Sequence, residues 1–234
     1  MREIFKASEL QEAFSLKEKG AVYFAGGSEI LRLGSSVDKD RSLIDVNSIL
    51  SHEIKKEGGF LVIGAAVTFQ EILECGFSPE WLRKAVHLMA SQALRNQATI
   101  GGNIACVRDD SYLIPSLLAS GASLTVYGTR GLASIPLEDY VRKGGCSCLI
   151  LSVSIPSDVK VALKRFSRSA SSHSALNIAA SSRGVFACVK SSGIALSVDE
   201  LEKLEYRDDI TGSGEYKKYL ALEEAGRLMK EVNA

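Results

Sequence analysis

Two glycine pairs, about 75 residues apart, constrain this chain more than any other feature of its sequence. The first is Gly26-Gly27, directly after a short apolar run, and the second is Gly101-Gly102. Both contexts predict a tight turn. Because glycine has no Cβ, the backbone N–H groups of such a turn approach a ligand closely, and phosphate oxygens are the usual ligand. Two turns of this kind are suited to hold a pyrophosphate from both sides, which is the central functional hypothesis.

Neither glycine pair fits the best-known nucleotide-binding motifs. Gly26-Gly27 does not match G-x-G-x-x-G, so a dinucleotide-binding fold of that type is not expected. The lysine of the G-x-x-x-x-G-K-[ST] loop is missing as well, which argues against an NTPase loop. Taken singly, a glycine pair is more often a structural turn than a ligand-binding loop.

The composition is that of a globular protein without affinity for nucleic acid or membranes. Of 234 residues, 46% are hydrophobic and 24% are charged, and 28 Lys plus Arg balance 28 Asp plus Glu. This balance gives no electrostatic case for nucleic acid or an acidic membrane surface. No apolar run reaches the ~18 residues of a spanning helix, and residues 1–6 do not resemble a signal peptide. A cytoplasmic location without a membrane span is therefore expected.

The five cysteines are odd in number and scattered, which is typical of reduced thiols in a cytoplasmic protein. Cys146 and Cys148 form the only close pair, and their spacing fits neither a zinc knuckle nor an iron–sulfur site. The three histidines share no motif. No metal site is therefore expected.

The hydrophobic pattern predicts helices and strands in no strict alternation, which favours an α+β fold over a doubly wound sheet. Helices are predicted over residues 8–19, 68–75, 79–92, 113–118, 197–204 and 216–232, with a short helical segment over 29–33. Strands are predicted over residues 21–25, 42–46, 60–65, 123–127, 148–155, 161–168 and 175–180, with a polar turn region at 52–59. The residue pattern of the sequence changes after Pro156, so a domain boundary is predicted between residues 1–156 and 157–234.

Both glycine motifs resemble those of one flavoprotein family. Residues 94–105, with the pattern R-N-x-A-T-I-G-G-N, carry the specific signal, and residues 25–30 are its companion. With residues 128–130 and 135–137, about three quarters of the chain is similar to the FAD-binding (medium) subunit of molybdenum hydroxylases, the xanthine dehydrogenase and carbon monoxide dehydrogenase flavoprotein family. This resemblance implies a PCMH-type FAD-binding domain of two α/β subdomains, followed by a small α+β C-terminal domain that is shortened here.

The resemblance also implies which residues hold FAD. In such proteins the two loops surround the pyrophosphate and ribityl chain, with backbone amides and a hydroxyl as donors, so a diphosphate is neutralised without lysines. Two isoleucines of the second motif are expected near the ring or the ribityl chain. The resemblance implies no catalytic residue. The cofactor-binding residues that it implies in this chain are Ala25, Gly26, Gly27, Ser28, Glu29, Ile30, Thr99, Ile100, Gly102, Asn103 and Ile104.

Two positions depart from the pattern of the family. Such proteins carry an acid three residues before the proline that matches Pro115, where it meets the sugar portion of the flavin, but this chain has Tyr112 there. Asp109 and Asp110 lie just before it, and either carboxylate is expected to take the place of that acid if the loop shifts. The Gly-Glu usual before the last strand of the domain appears here as Ser147-Cys148.

The resemblance implies a FAD-binding electron-transfer subunit, which takes electrons from 2Fe–2S clusters on a small partner subunit and passes them to NAD or another acceptor. A large molybdopterin-binding subunit is the second implied partner. Two alternatives stay open: a non-catalytic scaffold with a decayed flavin site, and a self-contained flavin-dependent reductase similar to the enolpyruvyl-glucosamine reductases. The reductase needs a substrate domain and a proton donor, and neither is identified in residues 157–234.

Overall fold

The computed structural model describes residues 3–32, 35, 37–89, 91–169 and 172–234. These residues form three β-sheets with helices between and around them, so the predicted α+β class is confirmed. The predicted helical segment over 29–33 ends at Leu33, which lies outside the described residues. Before it, the chain makes one turn, closed by a hydrogen bond from the Leu31 N–H to the Gly27 carbonyl at 2.9 Å.

The first sheet is parallel and has three strands. Ser8 donates both its N–H and its hydroxyl to the Glu12 carboxylate, which fixes the start of the helix that follows. The strands predicted over residues 21–25 and 42–46 are confirmed, whereas β1 has three exposed residues and no buried face that would give it a pattern. The strands are β1 (Ile4–Lys6), β2 (Val22–Phe24) and β3 (Leu43–Asp45), and helix α1 (Leu10–Glu18) connects β1 to β2. In the sheet they lie in the order β1-β3-β2.

The second sheet is antiparallel and has five strands, in the order β4-β5-β8-β6-β7. The turn region expected at residues 52–59 is wrong, because it contains a strand that pairs with its neighbour through a hairpin. Gly58 and Gly59 form that hairpin with φ angles of +58° and +82°, which glycine adopts readily. The strands are β4 (Ile54–Glu57), β5 (Phe60–Gly64), β6 (Ser123–Gly128), β7 (Gly131–Pro136) and β8 (Leu149–Pro156).

Short helices connect the strands of the second sheet. The capping box predicted for the helix over 68–75 is confirmed, since Thr68 and Glu71 exchange hydrogen bonds between their side chains and backbone N–H groups. The helix predicted over 79–92 ends at His87. The turn expected at Gly101-Gly102 is wrong, because both glycines lie inside a helix with Thr99 as its N-cap. The helices are α2 (Phe69–Glu74), α3 (Glu80–His87), α4 (Gln92–Arg95), α5 (Ile100–Ala105), α6 (Ile114–Ser120) and α7 (Leu137–Arg142).

The third sheet is antiparallel, in the order β12-β11-β10-β9, and lies between α6 and the C-terminal helix. Its strand β10 is buried along all eight residues because both of its faces are covered. The sequence predicts no element for the last two strands. The elements are β9 (Ala162–Ser167), β10 (Ser174–Ser181), β11 (Gly184–Val189), β12 (Gly193–Ala195), α8 (Val198–Lys203) and α9 (Gly214–Asn233). Across the described residues, no helix is both long and apolar enough to cross a membrane.

One expectation about the cysteines is wrong. Cys146 and Cys148 are joined by a disulfide, and their Cα atoms lie 5.3 Å apart, within reach of such a bridge. Cys75, Cys106 and Cys188 carry free thiols, as expected.

Gly101 is required by packing between α5 and the second sheet. A Cβ at this position would lie 2.7 Å from the Ala65 Cβ and 2.9 Å from the Ala65 carbonyl oxygen. We therefore expect Gly101→Ala to lower the free energy of unfolding, measured in urea, by about 1–3 kcal/mol. Gly226→Ala is the matched control, since nothing lies within 4 Å of a Cβ there, and it should raise stability by about 1 kcal/mol. Equal effects of the two substitutions would contradict the packing role.

Candidate functional site

The two glycine motifs lie against each other in the structure. The first loop, residues 25–30, directly follows β2, and its Gly26 touches the segment that leads into α5. A Cβ built on Gly26 would lie 1.6 Å from the Gln97 carbonyl oxygen and 2.6 Å from its carbon. Only glycine permits this approach of two backbones. Asn47 supports the same loop by donating from Nδ2 to the Ala25 carbonyl at 3.4 Å.

The first loop presents backbone N–H groups that the protein does not use. Within the described ranges, the N–H groups of the five residues 26–30 donate no hydrogen bond to the protein. Gly27 has a φ angle of +70°, a left-handed conformation that turns the loop and favours glycine. Successive N–H groups in a turn of this kind form a concavity that binds anions. All residues of the loop are half-buried, so it remains open to solvent on one side.

The second motif differs, because the N–H groups at the start of α5 already have acceptors. Each of the four is satisfied inside the chain: Ile100 donates to the Val67 carbonyl, Gly101 to the Ala65 carbonyl, Gly102 to Thr99 Oγ1 and Asn103 to the Thr99 carbonyl. This short helix is therefore not a free anion site by itself. The second motif instead has an exposed surface at Gly102. Among the described residues, a Cβ at this position would approach only Thr99 Oγ1, at 2.9 Å.

The side chains of the second motif divide between the core and the surface. Ile100 and Ile104 are 0% exposed and lie in the main hydrophobic core, so neither side chain lines the open surface. Thr99 is nearly buried and caps α5. Asn103 accepts a hydrogen bond at Oδ1 from the Ser111 hydroxyl at 3.0 Å, which orients its amide and leaves Nδ2 as a donor with no acceptor in the described part of the chain.

Asp109 and Asp110 both bind donors within the protein. Arg108 donates hydrogen bonds to the Asp110 carboxylate from Nε, at 2.7 Å, and from NH2, at 2.9 Å. Its NH1 donates to the Glu29 carboxylate of the first loop at 2.7 Å. Asp110 also pairs with Lys190 Nζ at 3.0 Å, while Asp109 accepts from the Ser191 N–H at 2.8 Å. We call the series Glu29, Arg108, Asp110 and Lys190 the ion-pair chain.

The ion-pair chain joins the first loop to the end of β11, and the sequence does not reveal it. No motif links Glu29 to Arg108, which lies 79 residues later, or either of them to Lys190. His173 also contacts the ion-pair chain, with Nδ1 at 3.0 Å from the Asp110 carboxylate. The two aspartates are thus brought next to the first loop, but as part of a network that fixes the fold.

The charges of the network outweigh the burial of Asp110. Burial alone raises the pKa of this carboxyl, but the hydrogen bonds and charges of Arg108 and Lys190 reverse that effect and hold its pKa well below the usual range. The hydrogen bonds from Asp110 in turn raise the pKa of Arg108, against the effect of burial. Both groups are therefore charged throughout the physiological range.

Tyr112, the departure from the pattern of the family, faces the third sheet. The Arg165 guanidinium lies 4.6 Å from the centre of its ring, and Arg165 donates to the Tyr112 hydroxyl at 2.8 Å. This stacking joins the segment after α5 to β9. Tyr112 is therefore a packing residue between these two elements.

The described residues offer no metal site at the two loops. Among the described residues, no three His, Cys, Asp or Glu side chains are placed to hold a metal ion. A cavity of about 210 Å³ lies elsewhere and shares no residue with either motif; it is lined by Leu118, Gly121, Ala122, Ser123, Pro136, Glu138 and Arg183.

The lowered pKa of Asp110 predicts a stability that depends on acid pH. A folded-state pKa below the unfolded value contributes stability above the unfolded pKa, near 3.8, which is lost as the pH falls below it. We expect Asp110→Asn to be less stable than the parent at pH 7 and to lose less stability between pH 5 and pH 2. Urea unfolding at a series of pH values measures this. Parallel pH profiles of the two proteins would show that Asp110 does not carry the effect.

Comparison with known proteins agrees with this geometry. A sequence profile of the family described as "FAD binding domain in molybdopterin dehydrogenase" matches residues 1–158. The chain is 34% identical over 151 residues to a protein of Escherichia coli K12 named "Uncharacterized protein YgfM", covering 63% of this chain and 56% of that protein. It is 28% identical over 143 residues to the "Xanthine dehydrogenase FAD-binding subunit" of Escherichia coli O157:H7, covering 58% and 49%. The chain thus spans about half the length of the curated relatives it matches.

Solved structures share the fold. The quinoline 2-oxidoreductase of Pseudomonas putida 86 superposes with a TM-score of 0.81 at 19% identity, covering 99% of this chain and 96% of that chain. A carbon monoxide dehydrogenase of Hydrogenophaga pseudoflava gives 0.81 at 17% identity, covering 98% and 96%. At this identity the likeness concerns the fold alone, and it supports the predicted class. Because the family profile covers more than half of the chain, the protein belongs to the family of FAD-binding domains in molybdopterin dehydrogenases, and FAD as its cofactor is confirmed at that level.

Proposed function

We propose that this chain is the FAD-binding electron-transfer subunit of a molybdenum hydroxylase-type oxidoreductase. The observation that supports it most directly is the contact between the two glycine motifs, together with the N–H groups of residues 26–30, which donate no hydrogen bond within the described residues. That donor set fits FAD, since a diphosphate is a dianion and a row of neutral N–H groups binds it without a lysine. The open surface at Gly102 is the kind of space that a ligand fills.

The first loop supplies the donors for the diphosphate in this proposal. The N–H groups of residues 26–30 and the Ser28 hydroxyl donate to its oxygens, and Ala25 and Ile30 flank them. From the second motif, Asn103 Nδ2 donates, and Gly102 permits close approach. Thr99, Ile100 and Ile104 act by fixing α5 in place. Asp109 and Asp110 hold the neighbouring segment against the third sheet, through the Ser191 N–H and Lys190.

The flavin supplies the redox chemistry when it is bound. The protein binds and orients it and shields it from water, and no side chain is required as a general acid or base. This division of labour agrees with a site built from backbone donors, an amide and a hydroxyl.

The partners are also part of the proposal. We infer a small subunit with 2Fe–2S clusters as electron donor, a large molybdopterin-binding subunit as the place of substrate oxidation, and NAD or another acceptor. The support is the name of one relative, a xanthine dehydrogenase FAD-binding subunit, which is a separate chain in its enzyme. We further propose a cytoplasmic location, an FAD-binding domain over residues 1–156 and a C-terminal domain over 157–234.

A scaffold without flavin is the second candidate. It is favoured by one observation: both candidate acids, Asp109 and Asp110, already have protein partners. The first test separates the two candidates. We expect the purified apo-chain, titrated with FAD, to give the visible spectrum of a bound flavin and to release FAD on acid treatment. No binding, alone and in complex with the co-purified partner subunits, would favour the scaffold.

Gly102 tests the site itself. We expect Gly102→Val to reduce FAD affinity at least ~100-fold, because a branched side chain fills the open surface at Gly102 that the proposal assigns to the cofactor. FAD titration monitored by flavin fluorescence measures the affinity. Gly226→Val is the matched control, a helical glycine far along the chain with nothing within 4 Å, and it should bind FAD like the parent. Equal FAD affinity in the Gly102→Val variant and the parent would remove Gly102 from the site.

A further inference from the structure

Arg108 connects the first loop to the rest of the protein, although the resemblance assigns it no role. Its NH1 lies 2.7 Å from Glu29 Oε1, and the two side chains are only 24% and 29% exposed. We propose that Arg108 is a positioning residue, which holds the first loop in its FAD-binding conformation through Glu29. This inference rests on the proposed function and adds to it a residue outside both glycine motifs.

The fork of the guanidinium group explains why arginine is needed. Two nitrogens, Nε and NH2, bind the two oxygens of Asp110, which leaves NH1 as the donor to Glu29. Because the group is planar, the bidentate contact with Asp110 also fixes the direction of NH1. A lysine, with a single nitrogen on a flexible stem, cannot reproduce this geometry.

Asp110 is itself an immobile anchor. It is 5% exposed, its Oδ2 binds Lys190 Nζ at 3.0 Å, and its carbonyl accepts from Asn177 Nδ2 at 3.2 Å. Asn177 belongs to β10 and Lys190 follows β11, so the anchor is tied to the third sheet. Through Arg108 and Asp110, the position of Glu29 is therefore fixed relative to the third sheet.

Two other contacts of the loop are described. Arg32 reaches Glu29 Oε1 at 2.8 Å, between residues only three positions apart. Gly26 fixes the beginning of the loop on Gln97. Arg108 fixes its later half, where the N–H groups of Glu29 and Ile30 lie.

The backbone before Arg108 supports a dedicated role. Val107 has a φ angle of +41°, in the left-handed region that β-branched residues rarely adopt. Such a conformation persists only where the surrounding contacts hold it. Val107 directly precedes Arg108, whose side chain reaches both carboxylates.

The test is a double-mutant cycle on FAD affinity with the full chain. We expect Arg108→Gln and Glu29→Ala each to weaken FAD binding about tenfold, and the double variant to bind no more weakly than Arg108→Gln alone. Arg142→Gln is the matched control, since Arg142 also bridges two carboxylates, Glu138 at 3.1 Å and Glu200 at 2.9 Å, and it should bind FAD like the parent. Arg108→Lys should not restore affinity.

Two outcomes would overturn the proposal. If Glu29→Ala binds FAD like the parent, Arg108 does not act through Glu29. If the two single effects add in the double variant, the residues act independently. Should Arg108→Gln fail to fold, as judged by its thermal unfolding, Glu29→Ala still decides, because it leaves the contact between Arg108 and Asp110 in place.

A second readout needs no flavin. The Leu31 N–H is bonded to the Gly27 carbonyl and so reports the closed turn of the first loop. In the apo-protein, Arg108→Gln and Glu29→Ala should speed hydrogen exchange of this N–H at least ~tenfold, and Arg142→Gln should not. Unchanged exchange in both variants would contradict the positioning role. If the parent does not bind FAD but exchange responds as expected, the proposed function fails and the positioning role stands.

Discussion

The contact between Gly26 and the Gln97 carbonyl is the constraint on which the site depends. It joins the loop after β2 of the parallel sheet to the segment before α5, so it fixes two parts of the chain that are far apart in sequence. No side chain fits in the gap, and the two backbones touch directly. This contact fixes the beginning of the first loop, whose N–H groups donate no hydrogen bond within the described residues, on the second motif.

Adjacent glycines in the second motif have different reasons for being glycine. Gly101 faces Ala65, directly after β5, where any Cβ overlaps protein atoms, whereas Gly102 faces open surface and its N–H completes the cap of α5. The same short helix therefore serves two purposes. Its inner side, with Ile100 and Ile104, belongs to the core, and its outer side is exposed at Gly102. A motif that reads as one turn in sequence is a packed helix with one exposed glycine.

Local signals in the sequence predicted local structure well. The capping box at Thr68 and the strands over 42–46 and 60–65 depend on residues a few positions apart, and a single sequence contains that information. Strand β4 was missed because its Lys and Glu side chains give no apolar face, and only pairing with β5 makes it a strand. The link between Glu29 and Arg108 was missed for a related reason. Each is an ordinary charged residue, and only the fold brings them together.

The electrostatics of the site follow from how its charges are paired. Arg108 is paired with the carboxylates of Glu29 and Asp110. Lys190 is paired with those of Asp109 and Asp110, so both cations already have carboxylate partners. In the proposed site, attraction for a diphosphate comes from neutral N–H groups close to it. Such donors act only at hydrogen-bond range, which makes their exact placement decisive. A site of this design needs a rigid loop more than it needs positive charge, and the ion-pair chain supplies that rigidity from the interior of the protein.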